Sequence, residues 1–321
     1  MSYESYQKYR ADPGLNQSFL KQVIENKVRT FKPSKAMLEG SGIDCLLYTP
    51  DEFNERYTVF EDVPTGAMKE EIEKCVIENE TFDVNLIANN LKEREFQSNW
   101  TEPTLIKNIS KYEDYANTIL EGIIPISSKD YFRYNNAVSV IKKSEAWKDV
   151  FRGTNEYQKD LYANYMVNDE SIRCKGLLDD LWIGDDAIIT DCKTTSAKNM
   201  NEWIELAKAL KYPMQAAFYS MLVERNYDVE NVSFQWLVYF NYTKQVRLIK
   251  CNPFDLYVGK HGCREIKSTY YTPKHEFKSE VIHYGYDDAL HIWQQAKELG
   301  LPDYDIEHYY SKGITQQSLF F

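Results

Sequence analysis

The sequence predicts an α/β fold in which helices flank a mixed central sheet and a helical N-terminal portion packs on that core. Up to about residue 150, apolar residues recur three and four positions apart, as in amphipathic helices. After residue 155, runs rich in β-branched and aromatic residues indicate strands. We therefore divide the chain into a mainly helical part, 1–150, and an α/β part, 151–321, and expect one structural domain overall.

The predicted elements of the second part follow in a definite order. The three runs KDLYANYMV, SIRCKGLLDDLWI and AIITDCKTT are predicted strands, and the GDD at 184–186 is a hairpin-turn signal between the last two. Two predicted helices, NMNEWIELAKAL and YPMQAAFYSMLVERN, precede the strands VSFQWLVYFNY and QVRLIKC. Further helices are predicted around 253–268 and 287–299. This order is typical of a mixed sheet with helices packed on it.

Composition limits the class of protein. With 321 residues, 43% of them hydrophobic, the chain is long enough for a substantial core. The net charge of -11 argues against indiscriminate binding of nucleic acid through a basic surface, although a local basic channel remains compatible with it. No signal-peptide core and no run of about 18 apolar residues is present, so we expect a cytoplasmic protein of a bacterium or a phage-infected host cell.

The stretch GLLDDLWIGDDAIITDCKTT carries the candidate chemistry. Asp179 ends one predicted strand, and the next strand brings Asp191 and Lys193 to one face because strand side chains alternate with a period of two. Hairpin pairing would bring Asp179 beside them. Asp180, Asp185 and Asp186 are interpreted as solvated turn residues.

Two converging carboxylates predict a divalent metal site. Carboxylates at close range repel unless a proton or a cation lies between them, and Mg²⁺ or Mn²⁺ prefers oxygen ligands. The main-chain carbonyl of Cys192 could supply a further oxygen, while Lys193 would orient a water and counter charge on the transition state. The alternative without a functional site is a solvated hairpin on which Asp191 and Lys193 form a weak surface ion pair.

At this point the chain resembles the PD-(D/E)XK nuclease superfamily, and within it the RecB-like nucleases with a helical QxxxY motif. That motif reads Gln215-Ala-Ala-Phe-Tyr219, and positions i and i+4 share a helix face. The resemblance is greatest to the C-terminal nuclease domain of the RecE (exonuclease VIII) family and its phage relatives. Its motifs are GSGIDCLLYTPDEFNERY, CKGLLDD, TDCKTT and YPMQAAFYS, over roughly residues 38–245.

The resemblance implies a restriction-endonuclease-like core and a Mg²⁺-dependent exodeoxyribonuclease that digests linear duplex DNA from the 5′ end during recombination. It assigns Asp179, Asp191, Lys193 and Gln215 to catalysis and Tyr219 to substrate binding. A single-strand annealing protein would be the partner, and a homo-oligomer is expected. No iron-sulfur cluster is expected, because the six cysteines lack the required spacing. Lys211, with Lys198 and Lys208, follows the active strand and could contact phosphates.

Two departures from the family pattern stand out. Asp44 in GSGIDCLL occupies a position where the family has histidine, and aspartate there could serve as a ligand for a hard cation. The family also has a glutamate on the strand before CKGLLDD, for which Glu156, Gln158 and Asp160 are all candidates. Other functions therefore stay open: a catalytically inactive DNA-binding or interaction subunit, a structure-specific endonuclease, or a CRISPR-type nuclease.

Overall fold

The structure, a computed structural model, describes residues 3–25, 34–271 and 276–300. Its α-helices are α1 Tyr3–Ala11, α2 Gln17–Ile24, α3 Lys35–Tyr48, α4 Phe53–Arg56, α5 Gly66–Asn79, α6 Val84–Glu93, α7 Glu102–Ser110, α8 Glu113–Leu120, α9 Ser128–Lys143, α10 Glu145–Val150, α11 Met200–Ala209, α12 Tyr212–Asn226, α13 Pro253–His261 and α14 Tyr286–Glu298. Its strands are β1 Tyr57–Phe60, β2 Ile124–Ser127, β3 Glu156–Val167, β4 Glu170–Ile183, β5 Ala187–Thr195, β6 Val232–Phe240, β7 Gln245–Lys250, β8 Cys263–Tyr271 and β9 Glu276–His283.

The central sheet has five strands in the order β3-β4-β5-β6-β7. Strands β3, β4 and β5 are antiparallel neighbours, β5 and β6 run parallel, and β6 and β7 are antiparallel again. The parallel pair requires a crossover, which α11 and α12 supply. The predicted mixed sheet flanked by helices, with a helical N-terminal portion, is confirmed.

Helix α12 covers the centre of the sheet. Pro213 lies in its first turn, where a missing N–H costs nothing. Phe218 and Leu222 are fully buried and belong to the core that also contains Leu178 and Phe234 of the sheet. The burial of this helix holds its polar residues in fixed positions over the strands.

A segment near the N-terminus completes the edge of β4. Strand β5 pairs with β4 only from Asp180 to Ile183. Leu15 lies beside the earlier part of β4: its N–H donates to Arg173 O at 2.9 Å, and Lys175 N–H donates to Leu15 O at 2.8 Å. Backbone groups that β5 leaves unpaired are satisfied in this way.

The chain folds into two compact units. Of the described residues, one contains 11–25, 139–271 and 276–300, and therefore the central sheet. The other contains 3–10 and 34–138, and its own apolar core includes Ile72, Ile87 and Ile109. Within it, β1 and β2 form a two-stranded parallel sheet, which the helical pattern of this region did not predict.

The predicted helix over 253–268 is wrong beyond residue 261. Helix α13 ends at His261, because Gly262 adopts a φ of 72° and donates its N–H to Val258 O. Strand β8 follows at Cys263 and pairs with β9. In the described part of the chain, no helix has the length and apolarity needed to cross a bilayer.

Candidate active site

The site forms where the β4–β5 ladder ends. The hairpin around residues 184–186 pairs Ile183 with Ala187, and the last ladder pair joins Asp180 to Thr190. One step further, the same register sets Asp179 opposite Asp191. Directly opposed residues of antiparallel strands project to the same face, so the hairpin itself brings these two side chains together.

The Asp179 carboxylate reaches across to β5. Its Oδ2 accepts a hydrogen bond of 3.0 Å from the backbone N–H of Cys192. Burial, followed by the charge of Asp191, raises the pKa of Asp179 to about 7. A carboxyl with such a pKa is held in an environment that disfavours its ionised form.

Asp191 and Lys193 form an ion pair on β5. Lys193 Nζ lies 2.6 Å from Asp191 Oδ2, and the Asp191 side chain is only 4% exposed. Burial raises the pKa of Asp191, whereas the Lys193 charge opposes this shift. For Lys193, burial favours the neutral amine, but the charges of its neighbours, Asp191 first, together with the hydrogen bond to Asp191 outweigh it and raise the pKa of Lys193 above its ordinary value. The ammonium also lies 5.2 Å from the centroid of the Tyr212 ring.

Helix α12 adds Gln215 and Tyr219. Gln215 Nε2 donates a hydrogen bond of 3.0 Å to Asp191 Oδ1, so Asp191 is held by Lys193 on one oxygen and by Gln215 on the other. Burial and the Asp191 charge raise the pKa of Tyr219 to about 12, and hydrogen bonding with Gln215 opposes the shift. Five of the residues selected from the sequence thus lie together: Asp179, Asp191, Lys193, Gln215 and Tyr219.

The three candidates on β3, Glu156, Gln158 and Asp160, differ in which residue of β4 they face. Tyr157 pairs with Asp180 and Lys159 with Leu178, which sets Gln158 opposite Asp179. Gln158 is 8% exposed and adopts a positive φ of 49°. Glu156 and Asp160 are instead paired with Leu181 and Leu177.

The register of β3 and β4 was available in the sequence. Asn168 and Asp169 connect the two strands with φ values of 45° and 66°, as a two-residue type I′ hairpin turn requires. A turn at this Asn-Asp pair aligns Val167 with Glu170 and, by counting back, Gln158 with Asp179. The β3 position level with Asp179 therefore carries a neutral amide.

Among known proteins, the chain is similar to solved structures. No protein-family model and no curated protein matches the sequence. A crystal structure from Eubacterium rectale named "Putative exonuclease" is similar at 13% identity and a TM-score of 0.46, over 80% of each chain. The structure of SSO0001 is similar at 10% identity and a TM-score of 0.24, over 89% of this chain and 87% of that one. Similarities this weak support no functional argument, so the chemistry of the site must be argued from its own residues.

Two further candidates from the sequence are Asp44 and Lys211. Asp44 belongs to α3 in the helical unit. Within residues 3–25, 34–271 and 276–300, no group of three or more His, Cys, Asp or Glu side chains is arranged to hold a metal ion. Lys211 precedes α12 as its N-cap with a φ of 63°, and its carbonyl accepts the Gln215 N–H.

The interpretation of Asp180 as a solvated turn residue is wrong. Its side chain is fully buried, and its Oδ1 accepts a hydrogen bond of 2.7 Å from Asn155 Nδ2. Burial raises the pKa of Asp180 to about 7. Asp185 and Asp186 are exposed in the turn, as expected.

Proposed function

We propose that this protein is a metal-dependent nuclease that hydrolyses phosphodiester bonds of DNA. The observation that carries the proposal is that the carboxylates of Asp179 and Asp191 interact electrostatically, with the Lys193 ammonium 2.6 Å from the second of them. A surface ion pair would not need a half-buried lysine or a second carboxylate. A buried Asp191 with the half-buried Asp179 and Lys193 beside it, all with shifted pKa values, is instead typical of a reacting centre.

The residues present fit a hard divalent cation. When ionised, the two carboxylates leave one negative charge uncompensated by Lys193, in surroundings that already raise the pKa of Asp179 to about 7. All of their ligand atoms are oxygens, which suits Mg²⁺ or Mn²⁺. Asp179, Asp191 and the main-chain carbonyl of Cys192 would hold the ion. When bound, it would supply Lewis-acid polarisation of the phosphoryl oxygen.

The protein's own residues then have separate roles. Lys193 stays protonated beside Asp191 and would donate to an oxygen of the phosphoryl group as negative charge develops there. Gln215 fixes the orientation of the Asp191 carboxylate through its 3.0 Å hydrogen bond. Tyr219, one helical turn later, would contact the substrate strand.

The finer features of the activity rest on the resemblance to the RecE family. They comprise linear duplex DNA as the substrate, digestion from the 5′ end, products with 5′-phosphates, a role in phage-type recombination, a homo-oligomer and an annealing protein as partner. A structure-specific endonuclease is distinguished from an exonuclease by a covalently closed plasmid, which only the endonuclease cleaves.

One observation favours a second candidate, a catalytically inactive DNA-binding or interaction subunit. Gln158 stands opposite Asp179 where a carboxylate would complete a third acidic ligand. An amide oxygen is a weaker ligand for a divalent ion than a carboxylate. Glutamine in place of an acidic residue also removes one negative charge from the site. The two candidates differ in whether Mg²⁺ produces cleavage at all.

The test uses linear duplex DNA labelled at the 5′ ends or at the 3′ ends. With Mg²⁺, the wild-type protein should release the 5′ label first, and EDTA should stop the release. Lys193→Ala should lower the rate by about 100-fold or more, because an electrostatic donor to the transition state is lost. The matched control is Lys142→Ala, which removes an exposed lysine of α9 and should cleave like wild type. If wild type leaves both labels intact in Mg²⁺ and in Mn²⁺, the proposed nuclease activity is refuted.

A further inference from the structure

A cavity of about 310 Å³ lies between the start of α12 and α13. Pro213 and Met214 of α12 line one side, and Phe254 and Val258 of α13 line another. The volume is at the lower end of the range found for small-molecule sites. Such a cavity holds a compact ligand and has no room for a folded partner.

The cavity collects positive charge in an acidic protein. Lys208, Lys211 and Arg264 line it, against the single carboxylate of Asp255. Lys208 is engaged with Glu205 at 3.1 Å, whereas the Lys211 and Arg264 side chains form no ion pair with any described residue. The chain as a whole carries a net charge of -11, so this local excess is selective for an anionic group.

Aromatic rings stand at the same cavity. Phe254 is 69% exposed and Tyr284 is 36% exposed. Both residues line the cavity, and Phe254 is the more exposed of the two. A planar heterocycle could stack on such a ring, which is how proteins hold bases of single-stranded nucleic acid without reading their sequence.

The cavity is next to the candidate active site along the same helix. Lys211 lines the cavity, and its carbonyl accepts the N–H of Gln215, whose side chain binds Asp191. We expect a strand whose phosphodiester lies at Asp191 to place a neighbouring nucleotide at the cavity.

We infer that this cavity binds one nucleotide unit, with its phosphate at Lys211 and Arg264 and its base against Phe254. The ligand class is a deoxynucleoside monophosphate, either free or as one residue of a DNA strand. The choice of a nucleotide among anionic ring compounds rests on the proposed function.

The test is calorimetric binding in EDTA, where no hydrolysis occurs, with deoxyadenosine monophosphate as the probe. It should bind more tightly than deoxyadenosine or inorganic phosphate. Only the nucleotide has both a phosphate for Lys211 and Arg264 and a base for Phe254. Lys211→Gln/Arg264→Gln should weaken binding about tenfold or more, and Phe254→Ala about fivefold or more. The charge-matched control Lys107→Gln/Lys142→Gln changes two exposed lysines elsewhere and should stay within about twofold of wild type.

A second probe, the tetranucleotide of deoxyadenosine, separates the two sources of the ligand. Binding of the tetranucleotide alone assigns the cavity to a DNA strand, and comparable binding of both probes assigns it to a free nucleotide. The inference is overturned if neither probe binds, or if the variants of the cavity bind both as wild type does. If the wild-type protein cleaves DNA but binds neither probe, the cavity site is refuted and the nuclease proposal stands. If it binds the probes but does not cleave DNA, the nuclease proposal is refuted and the cavity site stands.

Discussion

Gln215 donates a hydrogen bond from Nε2 to Asp191 Oδ1 at 3.0 Å, while Lys193 Nζ approaches the other oxygen of the same carboxylate at 2.6 Å. Asp191 is thus fixed by one strand neighbour and one helix residue. An amide that orients a buried carboxylate in this way acts through that carboxylate and is a positioning residue.

Replacement of Gln215 should reduce catalysis without removing it. We expect Gln215→Ala to lower the cleavage rate about 10- to 100-fold, the range found when a residue that orients a metal ligand is lost. Raising the Mg²⁺ concentration should restore part of the rate, because a less well-oriented Asp191 binds the ion more weakly. The measurement is single-turnover cleavage across a Mg²⁺ titration. An equal loss of rate at every Mg²⁺ concentration would contradict the positioning role.

Asp179 should oppose stability in the absence of metal and support it in its presence. Because burial and Asp191 raise its pKa to about 7, Asp179→Asn should make the metal-free protein more stable at pH 8. The Asn Oδ1 can still accept the Cys192 N–H. Thermal unfolding should show wild type stabilised by Mg²⁺, by about 2.7 kcal/mol at 100 times the Kd, and the variant not. Asp186→Asn, an exposed turn residue, is the control and should respond like wild type.

The parts of the site that could be predicted depend on short-range geometry. Asp191 and Lys193 are two residues apart on one strand, Gln215 and Tyr219 are four apart on one helix, and the GDD turn limits the hairpin register. Each relationship follows from the period of a single element or from one turn. That the helix bearing Gln215 lies at Asp191 did not follow from such periods; the resemblance to the RecB-like nucleases implied it.

Other features required tertiary information. The burial of Asp180 depends on Asn155 and on the packing over β4, which strand alternation does not reveal. The end of α13 depends on Gly262 taking a positive φ, whereas the apolar pattern alone runs on past it. Gln158 could have been placed opposite Asp179, but only by treating Asn168-Asp169 as a tight turn.

Gly176 should tolerate no side chain, because Tyr219 and Leu222 of α12 pack directly on it. An added Cβ would lie 2.5 Å from Leu222 Cδ1 and 3.1 Å from Tyr219 Cε1. We expect Gly176→Ala to destabilise the protein by about 1 to 3 kcal/mol, the usual cost of overpacking a core. Urea unfolding provides the measurement.

The matched variants for Gly176 test this cause directly. Ser171→Ala changes an exposed residue of the same strand and should have an effect within about 0.5 kcal/mol. In Gly176→Ala/Leu222→Ala, the space vacated by Leu222 should absorb the new methyl group, so the double variant should be less unstable than the two separate effects added together. Strict additivity would show that the clash with Leu222 is not the cause.

Asp180 should make the stability of the protein depend on pH between about 4 and 8. Its ordinary pKa of 3.8 is raised to about 7 by burial. The folded state therefore holds the proton more tightly than the unfolded state, and the associated stability is present below pH 4 and lost as the pH rises through 7. Asp180→Asn cannot ionise and should escape this loss, gaining stability over wild type by up to about 4 kcal/mol at pH 8 relative to pH 4. Urea unfolding of both proteins at several pH values measures the difference. The control Asp185→Asn removes an exposed carboxylate from the nearby turn, and its stability relative to wild type should not change with pH in this way. If Asp180→Asn gains the same stability at pH 4 as at pH 8, ionisation of Asp180 is not the cause of the gain.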